Sequence, residues 1–469
     1  MRMKNLHKKP ITTTLHYNIW SRYCSMSVVI IWSLLILGCI FLLHLYSNNT
    51  SLNMIHPLHS SSYFNQLQQV ENEKFQIPPP NKKRLPQSKS ITPLVDEFLD
   101  KDSTLRHVFF PHKTNAIDPM KTIGKEINDS YSYYYPGRVW LDTDGNPIQA
   151  HGGCILYDEI SSTYYWYGEY KDGPTYLAHG NKGPARVDII GVGCYSSKDL
   201  WTWKKEGIVL TAEKTNKAHD LHKSNVLERP KVIYNEKTRK YVMLMHIDDA
   251  NYAKASIGVA VSDTPIGPFK YLGSQRPNGY QSRDMTVYKD EDSVAYLIYS
   301  SEENNVMHIG PLTDDYLNVT SVMRRIFVGQ RREAPAMFKH KGIYYMITSG
   351  CTGWAPNEAL VHASDSILGT WETIGNPCVG GNKMFRVSTF LAQSTFVVPL
   401  NKFPGLFIFM ADRWNPGELR DSRYVWLPLI VDGNDDQTLE YGFGYTLWPR
   451  VSIYWHRKWK LPLGWNTLK

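Results

Sequence analysis

Short aromatic and β-branched runs, separated by Asp, Asn, Gly and Pro, fill the chain from about residue 135 to its C-terminal end. Apolar positions in these runs rarely recur at the spacing of an amphipathic helix, so the pattern predicts an all-β domain. Residues 47–105 differ, because they are polar and rich in Ser, Asn, Gln and Pro, with IPPPNKKRLPQSKS at 77–90. This composition is typical of a stem without a hydrophobic core.

The all-β region contains an internal repeat. Five aromatic strand cores recur roughly every 50 to 75 residues: YYWYGE from Tyr164, YVMLMH from Tyr241, AYLIYS from Ala295, IYYMITSG from Ile343 and LFIFMADRW from Leu406. A second motif follows three of them: GCYSSKDLWTWKKEG, VAVSDTPIGPFKYLG and VHASDSILGTWETIG. We interpret it as the third strand, a turn and the fourth strand of a blade. The repeat predicts a five-bladed β-propeller with four-stranded blades.

One polar residue stands just before the apolar stretch of the strand that precedes each core. These residues are His151, Glu228, Asp284, Glu333 and Gln393. The first strand of each propeller blade lines the central channel, so we expect a polar ring at one mouth of the channel. Carboxyl groups held close together raise the pKa of at least one of them. Glycosidic cleavage needs such a protonated acid, and we expect Glu333 to be the acid and Asp284 to tune it.

The segment SVVIIWSLLILGCIFLLHLY, residues 27–46, is long enough to cross a bilayer as a helix. Basic residues precede it and none follows until Lys74, which predicts a cytosolic N-terminus and a single-pass type II topology. A cleaved signal peptide is the alternative, but the apolar run is long and no clear cleavage site follows it. The predicted parts are a cytosolic tail (1–26), a transmembrane signal anchor (27–46), a stem (47–105) and a lumenal propeller domain (106–469).

A lumenal domain can carry N-linked glycans and disulfides. The candidate glycosylation sites are Asn48, Asn49, Asn128 and Asn318. Cys351 and Cys378 enclose a short loop, so we predict a disulfide between them, whereas the pairing of Cys154 and Cys194 stays open. No spacing of Cys and His suggests a zinc site.

The formal net charge is +8, part of which belongs to the N-terminal tail. The remaining charge is diffuse apart from a basic cluster at Arg457, Lys458 and Lys460, which we interpret as a solvated face. Nothing in the sequence resembles a nucleic-acid-binding module.

Two of the ring residues lie in longer motifs that resemble a known enzyme family. Asp284 in SRDMTVYKDEDSVAYLIYS, followed by Glu333 in REAPAMFKHKGIYYMITSG, resembles glycoside hydrolase family 43. The resemblance covers residues from about 135 to 450 and implies a five-bladed propeller enzyme that inverts anomeric configuration. It also implies that Asp284 is the pKa-modulating aspartate and that Glu333 is the general acid.

The sequence departs from this family at the general base. The family has an Asp on the first inner strand, whereas IQAHGGCILYD has Ala150 and His151 there. This absence, together with YWYGE, ERPKV and Gln393, resembles the exo-β-1,3-galactanase branch, which includes plant Golgi proteins and in which a glutamine replaces the base. A neutral amide is a very weak base, so we first assign Gln393 to holding water and keep Glu228 and Glu169 as candidate proton acceptors.

Further side chains are expected to bind the sugar. The resemblance makes Glu228 and Glu169 binders of the terminal galactose hydroxyls. The loops around the mouth carry the other candidates: Tyr252, Trp354, Asn357 and Trp414. Trp354 is the best stacking residue of these, and core packing is the alternative role for Trp414. His151 could bind substrate, bind an ion in the channel or satisfy the strand end.

The sequence therefore predicts an inverting, exo-acting glycosidase that hydrolyses β-1,3-linked galactose in arabinogalactan-type glycans on the lumenal side of the Golgi membrane. Its expected partners are an oligosaccharide or arabinogalactan-protein glycan and, through residues 27–46, the membrane. This chemistry requires no cofactor, although the channel could hold a structural calcium ion. Two alternatives stay open: a catalytically inactive carbohydrate-binding propeller, and an α-L-arabinofuranosidase or β-xylosidase on the same scaffold.

Overall fold

The computed structural model of the protein describes residues 133–177, 185–431, 440–441, 444–445 and 448–462. The predicted tail, anchor and stem, and the candidate glycosylation sites Asn48, Asn49 and Asn128, lie outside these ranges. Among the described residues, no helix is long and apolar enough to span a membrane. Asn318 is exposed in the loop between two strands of the third blade, and its glycosylation stays a prediction.

The first two blades are antiparallel sheets of four strands each. Blade one consists of β1 (His151–Asp158), β2 (Thr163–Glu169), a separate hairpin of β3 (Thr175–Leu177) and β4 (Ala185–Val187), then β5 (Gly191–Ser197) and β6 (Lys204–Thr211). Blade two consists of β7 (Val226–Asn235), β8 (Lys240–Asp248), β9 (Ser256–Ser262) and β10 (Lys270–Gln275). Strands that follow one another in a blade pair side by side, so each blade is a meander.

Blades three and four repeat this plan. Blade three consists of β11 (Met285–Lys289), β12 (Ala295–Ser301), β13 (Val306–Pro311) and β14 (Arg324–Ile326). Blade four consists of β15 (Arg332–His340), β16 (Ile343–Gly350), β17 (Leu360–Ser364) and β18 (Glu372–Gly375). In blades one, two and four, the motif that follows the aromatic core forms the third strand, a turn and the fourth strand, as predicted.

Blade five joins distant parts of the chain. Its sheet runs from β20 (Gln393–Pro399) through β21 (Leu406–Arg413) and β22 (Arg423–Val431) to β25 (Val451–Tyr454) and the short β19 (Cys378–Val379). The remaining elements are the small pair β23 (Glu440–Tyr441) and β24 (Gly444–Tyr445), helix α1 (Lys383–Val387) and the 3₁₀ turns Pro277–Gly279, Thr389–Leu391 and Leu419–Asp421.

The inner strands of the five sheets form a closed ring. β1 contacts β7, β7 contacts β11, β11 contacts β15, β15 contacts β20, and β20 returns to β1. Separate hydrophobic clusters fill the spaces between consecutive blades, as expected where sheet faces pack together. The all-β, five-bladed propeller predicted from the repeat is therefore confirmed.

Residues from both ends of the described chain meet beside blade five. Tyr134 forms an antiparallel bridge with Trp459, and their rings stack with centroids 4.6 Å apart. The Tyr134 hydroxyl donates a hydrogen bond of 2.8 Å to the carbonyl of Leu200 in blade one. These contacts hold the last blade against the first.

The inner strands are bulged close to the predicted ring residues. The pairing register shifts between His151 and Cys154, between Glu228 and Lys231, between Glu333 and Ala336, and between Ser394 and Phe396. The residue directly after His151, Glu228 or Glu333 has a left-handed backbone, with φ of 60° at Gly152, 55° at Arg229 and 52° at Ala334. Bulges re-aim side chains at strand ends, and these direct polar groups towards the channel mouth.

The predicted disulfide between Cys351 and Cys378 is wrong. Cys351, just after β16, directs its thiol to the carbonyl of Arg331 at 3.2 Å. Cys378 is buried in the core between blades four and five. The two thiols thus lie in different surroundings, and Cys154 and Cys194 are also free.

Candidate active site

A cleft with a cavity volume of about 390 Å³ opens at the channel mouth where the inner strands begin. It brings together eight of the ten predicted catalytic and sugar-binding residues: Glu169, Glu228, Tyr252, Asp284, Glu333, Trp354, Gln393 and Trp414. Arg229, His246, Asn251, Arg283, Asn304 and Gly353 complete the lining. Four of the five ring residues that the repeat predicts, all except His151, therefore line the cleft.

Glu333 is a carboxyl group with little access to water. Its relative exposure is 9%, and Oε1 accepts a hydrogen bond of 3.1 Å from Nε2 of Gln393. Burial is the largest cause that raises the pKa of Glu333, the charge of Asp284 adds to it, and the result is a pKa of about 8. Glu333 can therefore keep its proton at neutral pH, which an acid catalyst requires.

Asp284, directly before β11, is bound by Arg229. The guanidinium donates two hydrogen bonds to the carboxylate, from Nε at 3.1 Å and from Nη2 at 2.9 Å. The backbone N–H of Ala334 donates a third at 3.1 Å. The two hydrogen bonds from the Arg229 guanidinium fix the orientation of the Asp284 carboxylate beside Glu333.

Gln393 begins β20, and its side chain connects the charged groups. Its Oε1 accepts hydrogen bonds from Nη2 of Arg229 at 2.6 Å and from Nε1 of Trp414 at 3.0 Å. Its Nε2 donates to Oε1 of Glu333 and, at 3.0 Å, to Oγ of Ser349. The Gln393 amide thus connects Arg229, which binds Asp284, to the carboxyl of Glu333.

Glu228 belongs to a second polar network on blade two. Its Oε1 accepts a hydrogen bond of 2.7 Å from the hydroxyl of Tyr252, and its Oε2 lies 3.2 Å from Nδ1 of His246. The other ring nitrogen of His246 lies 2.9 Å from Asp248. Burial opposes ionisation of Glu228, but the hydrogen bond and charge of His246 outweigh it and lower the pKa of Glu228. Glu228 is therefore an ionised acceptor facing the cleft.

Glu169 ends β2 and has two close partners. Its Oε1 accepts a hydrogen bond of 3.0 Å from the backbone N–H of Arg229, and its Oε2 lies 2.6 Å from Nζ of Lys171. Burial raises the pKa of Glu169, and Lys171 partly opposes that rise. Glu169 and Glu228 thus offer acceptor oxygens on the same side of the cleft.

Two indole rings form an aromatic part of the cleft wall. Trp354 and Trp414 meet edge to face with centroids 5.0 Å apart, and Nζ of Lys171 lies 5.9 Å from the centroid of each ring. Nε1 of Trp354 donates to the carbonyl of Ala185 in the β3–β4 hairpin at 3.1 Å. Trp414 is only 7% exposed yet lines the cleft, so its packing and cleft roles coexist.

Two of the predicted binding residues do not line the cleft. His151 is fully buried, with Nδ1 2.9 Å from Oδ1 of Asp412 and its ring stacked on Tyr424. Asn357 uses its amide locally, accepting from the N–H of Gly350 and donating to its carbonyl, each at 2.7 Å. Hydrogen bonds within its own loop occupy Asn357, and His151 makes a strand-end contact, one of the three roles that the sequence leaves open for it.

Arg229 is one of the cleft residues that the sequence did not reveal, and it contacts both Asp284 and Gln393. In a regular strand, it would point away from the face that its neighbour Glu228 shows to the mouth. The bulge and the left-handed backbone at Arg229 let both side chains reach the cleft. An Arg directly after a ring carboxylate is the only signal in the sequence, and it does not reveal the bulge.

The described residues hold no group of three or more His, Cys, Asp or Glu arranged for a metal ion. Two cationic side chains of the protein, Arg229 and Lys231, lie on the inner strand β7. Nζ of Lys231, which is 1% exposed, donates to the carbonyl of Gly152 at 2.7 Å, close to the guanidinium of Arg229.

A five-bladed propeller with a buried, proton-retaining carboxyl beside an Arg-bound aspartate defines a glycoside hydrolase type of site. The comparison with family models gives the same class: residues 160–384 match the model for glycosyl hydrolases family 43. The chain belongs to this family and is a glycoside hydrolase.

Solved structures give closer relatives. A GH43 β-1,3-galactosidase solved with galactodeoxynojirimycin is 39% identical, over 70% of this chain and 100% of that chain, with a TM-score of 0.61. An exo-β-1,3-galactanase from Phanerochaete chrysosporium solved with β-1,3-galactotriose is 34% identical, over 71% and 69%, with a TM-score of 0.60. An exo-β-1,3-galactanase from Clostridium thermocellum is 36% identical, over 70% and 67%, with a TM-score of 0.58. A search of curated proteins returned no match.

Proposed function

We propose that this protein is an inverting, exo-acting glycosidase that removes β-1,3-linked galactose from arabinogalactan-type glycans. The observation that carries the proposal is the buried carboxyl of Glu333, which retains its proton beside Asp284 in the cleft. The similarity to β-1,3-galactosidases and exo-β-1,3-galactanases supports galactose as the sugar that is released.

In this proposal, Glu333 is the general acid. Its proton passes to the glycosidic oxygen as the bond to the anomeric carbon breaks, and the leaving alcohol departs neutral. A water molecule forms the new bond to the anomeric carbon from the opposite face and passes its proton to a carboxylate of the cleft, Glu228 or Glu169. Asp284 keeps the pKa of Glu333 high by charge repulsion, and Arg229 holds the Asp284 side chain in place through two hydrogen bonds. Gln393 completes the catalytic group through its contact with Glu333.

The terminal galactose would lie in the cleft, in contact with both its acidic and its aromatic side chains. Glu228 and Glu169 would accept hydrogen bonds from its hydroxyls, and Tyr252 would orient Glu228. Trp354 and Trp414 would contact an apolar face of the sugar, since aromatic rings suit such surfaces.

Location and processing belong to the same proposal. The apolar segment 27–46, the basic residues before it and the polar stem after it support a type II anchor with the propeller in the Golgi lumen. The exposed position of Asn318 suits N-glycosylation. No cofactor enters the proposed chemistry.

One observation favours a second candidate, a propeller that binds carbohydrate without cleaving it. The first inner strand has no carboxylate at the mouth, because His151 occupies that position and is bound to Asp412. Binding of β-1,3-galactooligosaccharides without turnover, unaffected by Glu333→Gln, would favour this candidate.

Incubation of the full-length protein with β-1,3-galactotriose tests the proposed function. We expect stepwise release of galactose by the wild type and a loss of about 10²-fold to 10⁴-fold in Glu333→Gln, which preserves shape and removes the acid. Aryl α-L-arabinofuranosides and β-xylosides serve as competing substrates. Absence of galactose release by the wild type, or undiminished release by Glu333→Gln, would overturn the proposal.

A further inference from the structure

The orientation of the Gln393 side chain is fixed by its neighbours. An arginine guanidinium and an indole nitrogen can only donate hydrogen bonds, so the amide atom that faces Arg229 and Trp414 must be the oxygen. The two contacts, of 2.6 Å and 3.0 Å, use both lone pairs of Oε1. The choice between oxygen and nitrogen, which geometry alone often leaves open, is therefore settled by chemistry.

The other end of the amide is equally engaged. Nε2 has two hydrogens, and two acceptors lie within reach, Oε1 of Glu333 at 3.1 Å and Oγ of Ser349 at 3.0 Å. Gln393 is 9% exposed, and all four of its hydrogen-bonding positions are used by the protein. A proton acceptor needs a free lone pair, and this side chain has none to offer to a water molecule.

We propose that Gln393 is a positioning residue that orients the acid Glu333, held in place by Arg229 and Trp414, and that it is not the proton acceptor of the reaction. The proposal rests on the proposed function, in which Glu333 is the general acid. In the imidic acid tautomer of the Gln393 amide, the oxygen would carry a hydrogen. Arg229 and Trp414 already donate hydrogen bonds to that oxygen. The surroundings therefore stabilise the ordinary amide.

Amide donors hold both carboxyl oxygens of Glu333. Nε2 of Gln393 donates to Oε1 at 3.1 Å, the shorter contact of the two. Nδ2 of Asn304 donates to Oε2 at 3.5 Å. Asn304 lines the cleft, so the Oε2 side of the acid faces the space for the sugar.

Arg229 links this positioning to the charge balance of the site. Its guanidinium donates hydrogen bonds to Asp284 from Nε and Nη2, and Nη2 also donates to Gln393. The groups that act electrostatically on Glu333 are Asp284 and Glu228, which favour its protonated form, and Arg229, with the thiol of Cys351, which favour its ionised form. The hydrogen bond from Gln393 also favours the ionised form, so its removal must raise the pKa of Glu333 further.

The test compares the wild type, Glu333→Gln, Gln393→Met and Gln393→Glu, with Gln330→Met on the surface as the matched control. For Gln393→Met, we expect kcat to fall by about 10²-fold, as for other misplaced catalytic groups, with little change in KM. The alkaline limb of its pH profile should move to higher pH, and sodium azide should not restore the rate. Gln393→Glu should also be impaired, because the new carboxyl would compete with Glu333 for its proton and would no longer donate to Oε1.

Two results would overturn the proposal. One is rescue of Gln393→Met by azide with formation of a galactosyl azide, which identifies a missing proton acceptor. The other is a near wild-type rate in Gln393→Glu with a new acidic limb. Loss of activity in Glu333→Gln establishes the acid independently of both results.

A second measurement does not depend on turnover. Titration of ¹³C-labelled glutamate side chains by NMR, with Glu333 assigned by its loss in Glu333→Gln, reports the pKa of the carboxyl directly. We expect a higher pKa in Gln393→Met than in the wild type and no change in Gln330→Met. An unchanged pKa in Gln393→Met would contradict the positioning role even if no substrate had been found.

Discussion

At the scale of single residues, two glutamates of the cleft have carboxyl groups whose pKa values shift in opposite directions. Glu333 is buried beside a neighbouring aspartate, with amide donors as its hydrogen-bond partners, and its pKa rises. Glu228 is buried too, but the contact with His246 reverses the effect of burial and its pKa falls. Environment, not residue type, therefore separates the proposed acid from the proposed sugar-binding carboxylate.

The pH dependence of kcat/KM should report the proposed acid. With the pKa of Glu333 raised to about 8, its protonated form is present at neutral pH and is lost as pH rises through that value. Activity should therefore decline on the alkaline side with an apparent pKa near 8. Measurement of galactose release between pH 5 and 10 checks this, and an alkaline limb near the ordinary glutamate pKa would contradict it.

Replacement of Asp284 by Asn should move that limb to lower pH. The charge of Asp284 is one of the causes that raise the pKa of Glu333, and its loss also leaves Arg229 free to stabilise the ionised form. Asp292→Asn, an exposed change in the same blade, is the control and should leave the limb unchanged. An alkaline limb in Asp284→Asn that stays in place or moves upward would show that Asp284 does not tune the acid.

The ring residues could be predicted from the sequence because they occupy the same position in five repeated strands. Their equivalence places them together without knowledge of any side-chain contact. Arg229 and His246 could not be predicted in this way, since each acts through a contact that depends on a bulge or on the pairing of β7 with β8. For His151 the sequence leaves three roles open, sugar binding, ion binding and satisfying the strand end, and the contact with Asp412 that decides between them is not visible in the sequence.

At the scale of elements, the bulges near the start of the inner strands shape the site. Gly152 follows His151 at one of them, with φ of 60° and its N–H donating to Oδ2 of Asp412 at 2.8 Å. A Cβ atom at this position would lie 2.2 Å from Oε1 of Glu169. The bulge thus brings the backbone so close to a cleft carboxylate that only glycine fits.

Comparison of Gly152→Ala with Gly145→Ala separates the effect of backbone strain from the effect of displacing a cleft side chain. Both glycines have positive φ, 60° and 81°, but a Cβ at Gly145 has nothing within 4 Å. Each change should cost about 1–2 kcal/mol of unfolding free energy through backbone strain. Only Gly152→Ala should also lose galactose release, because it displaces Glu169.

Urea unfolding and activity assays on the purified variants measure the two effects. Equal activity of the two variants at equal folded fraction would mean that the bulge does not support the cleft. A much smaller loss of stability in Gly145→Ala than expected would instead question the strain that is assigned to its φ.

At the scale of the whole molecule, an aromatic cluster joins the first and the last blade. Trp166 on β2 is fully buried, and its ring centroid lies 4.6 Å from those of Tyr424 and Trp426 on β22 and 5.3 Å from that of Trp203. Together with the Tyr134–Trp459 pair, the cluster holds the ring of blades closed.

Replacement of Trp166 by Ala should destabilise the propeller by about 3–5 kcal/mol, because it leaves a large cavity at this closing contact. Ile160→Ala, at a side chain that is 75% exposed, should change the unfolding free energy by less than about 0.5 kcal/mol. Urea unfolding midpoints of both variants check the prediction. A similar midpoint for the two variants would show that the cluster does not hold the ring.

The sequence predicts the architecture well at this scale, since the first four blades are local meanders whose strands follow one another along the chain. It predicts the disulfide badly, because Cys351 and Cys378 are close in sequence while one thiol lies near the mouth and the other in a core between blades. The short strand β19 in the fifth sheet also escapes prediction, since its partner β25 is more than 70 residues away.

The configuration of the first product tests the central claim most directly. Hydrolysis of β-1,3-galactobiose followed by ¹H NMR, before mutarotation, distinguishes the anomers of the released galactose. An inverting enzyme with Glu333 as its acid should give α-galactose first, and Glu333→Gln should give neither anomer at a comparable rate. Initial release of β-galactose, or no release at all by the wild type, would contradict the account.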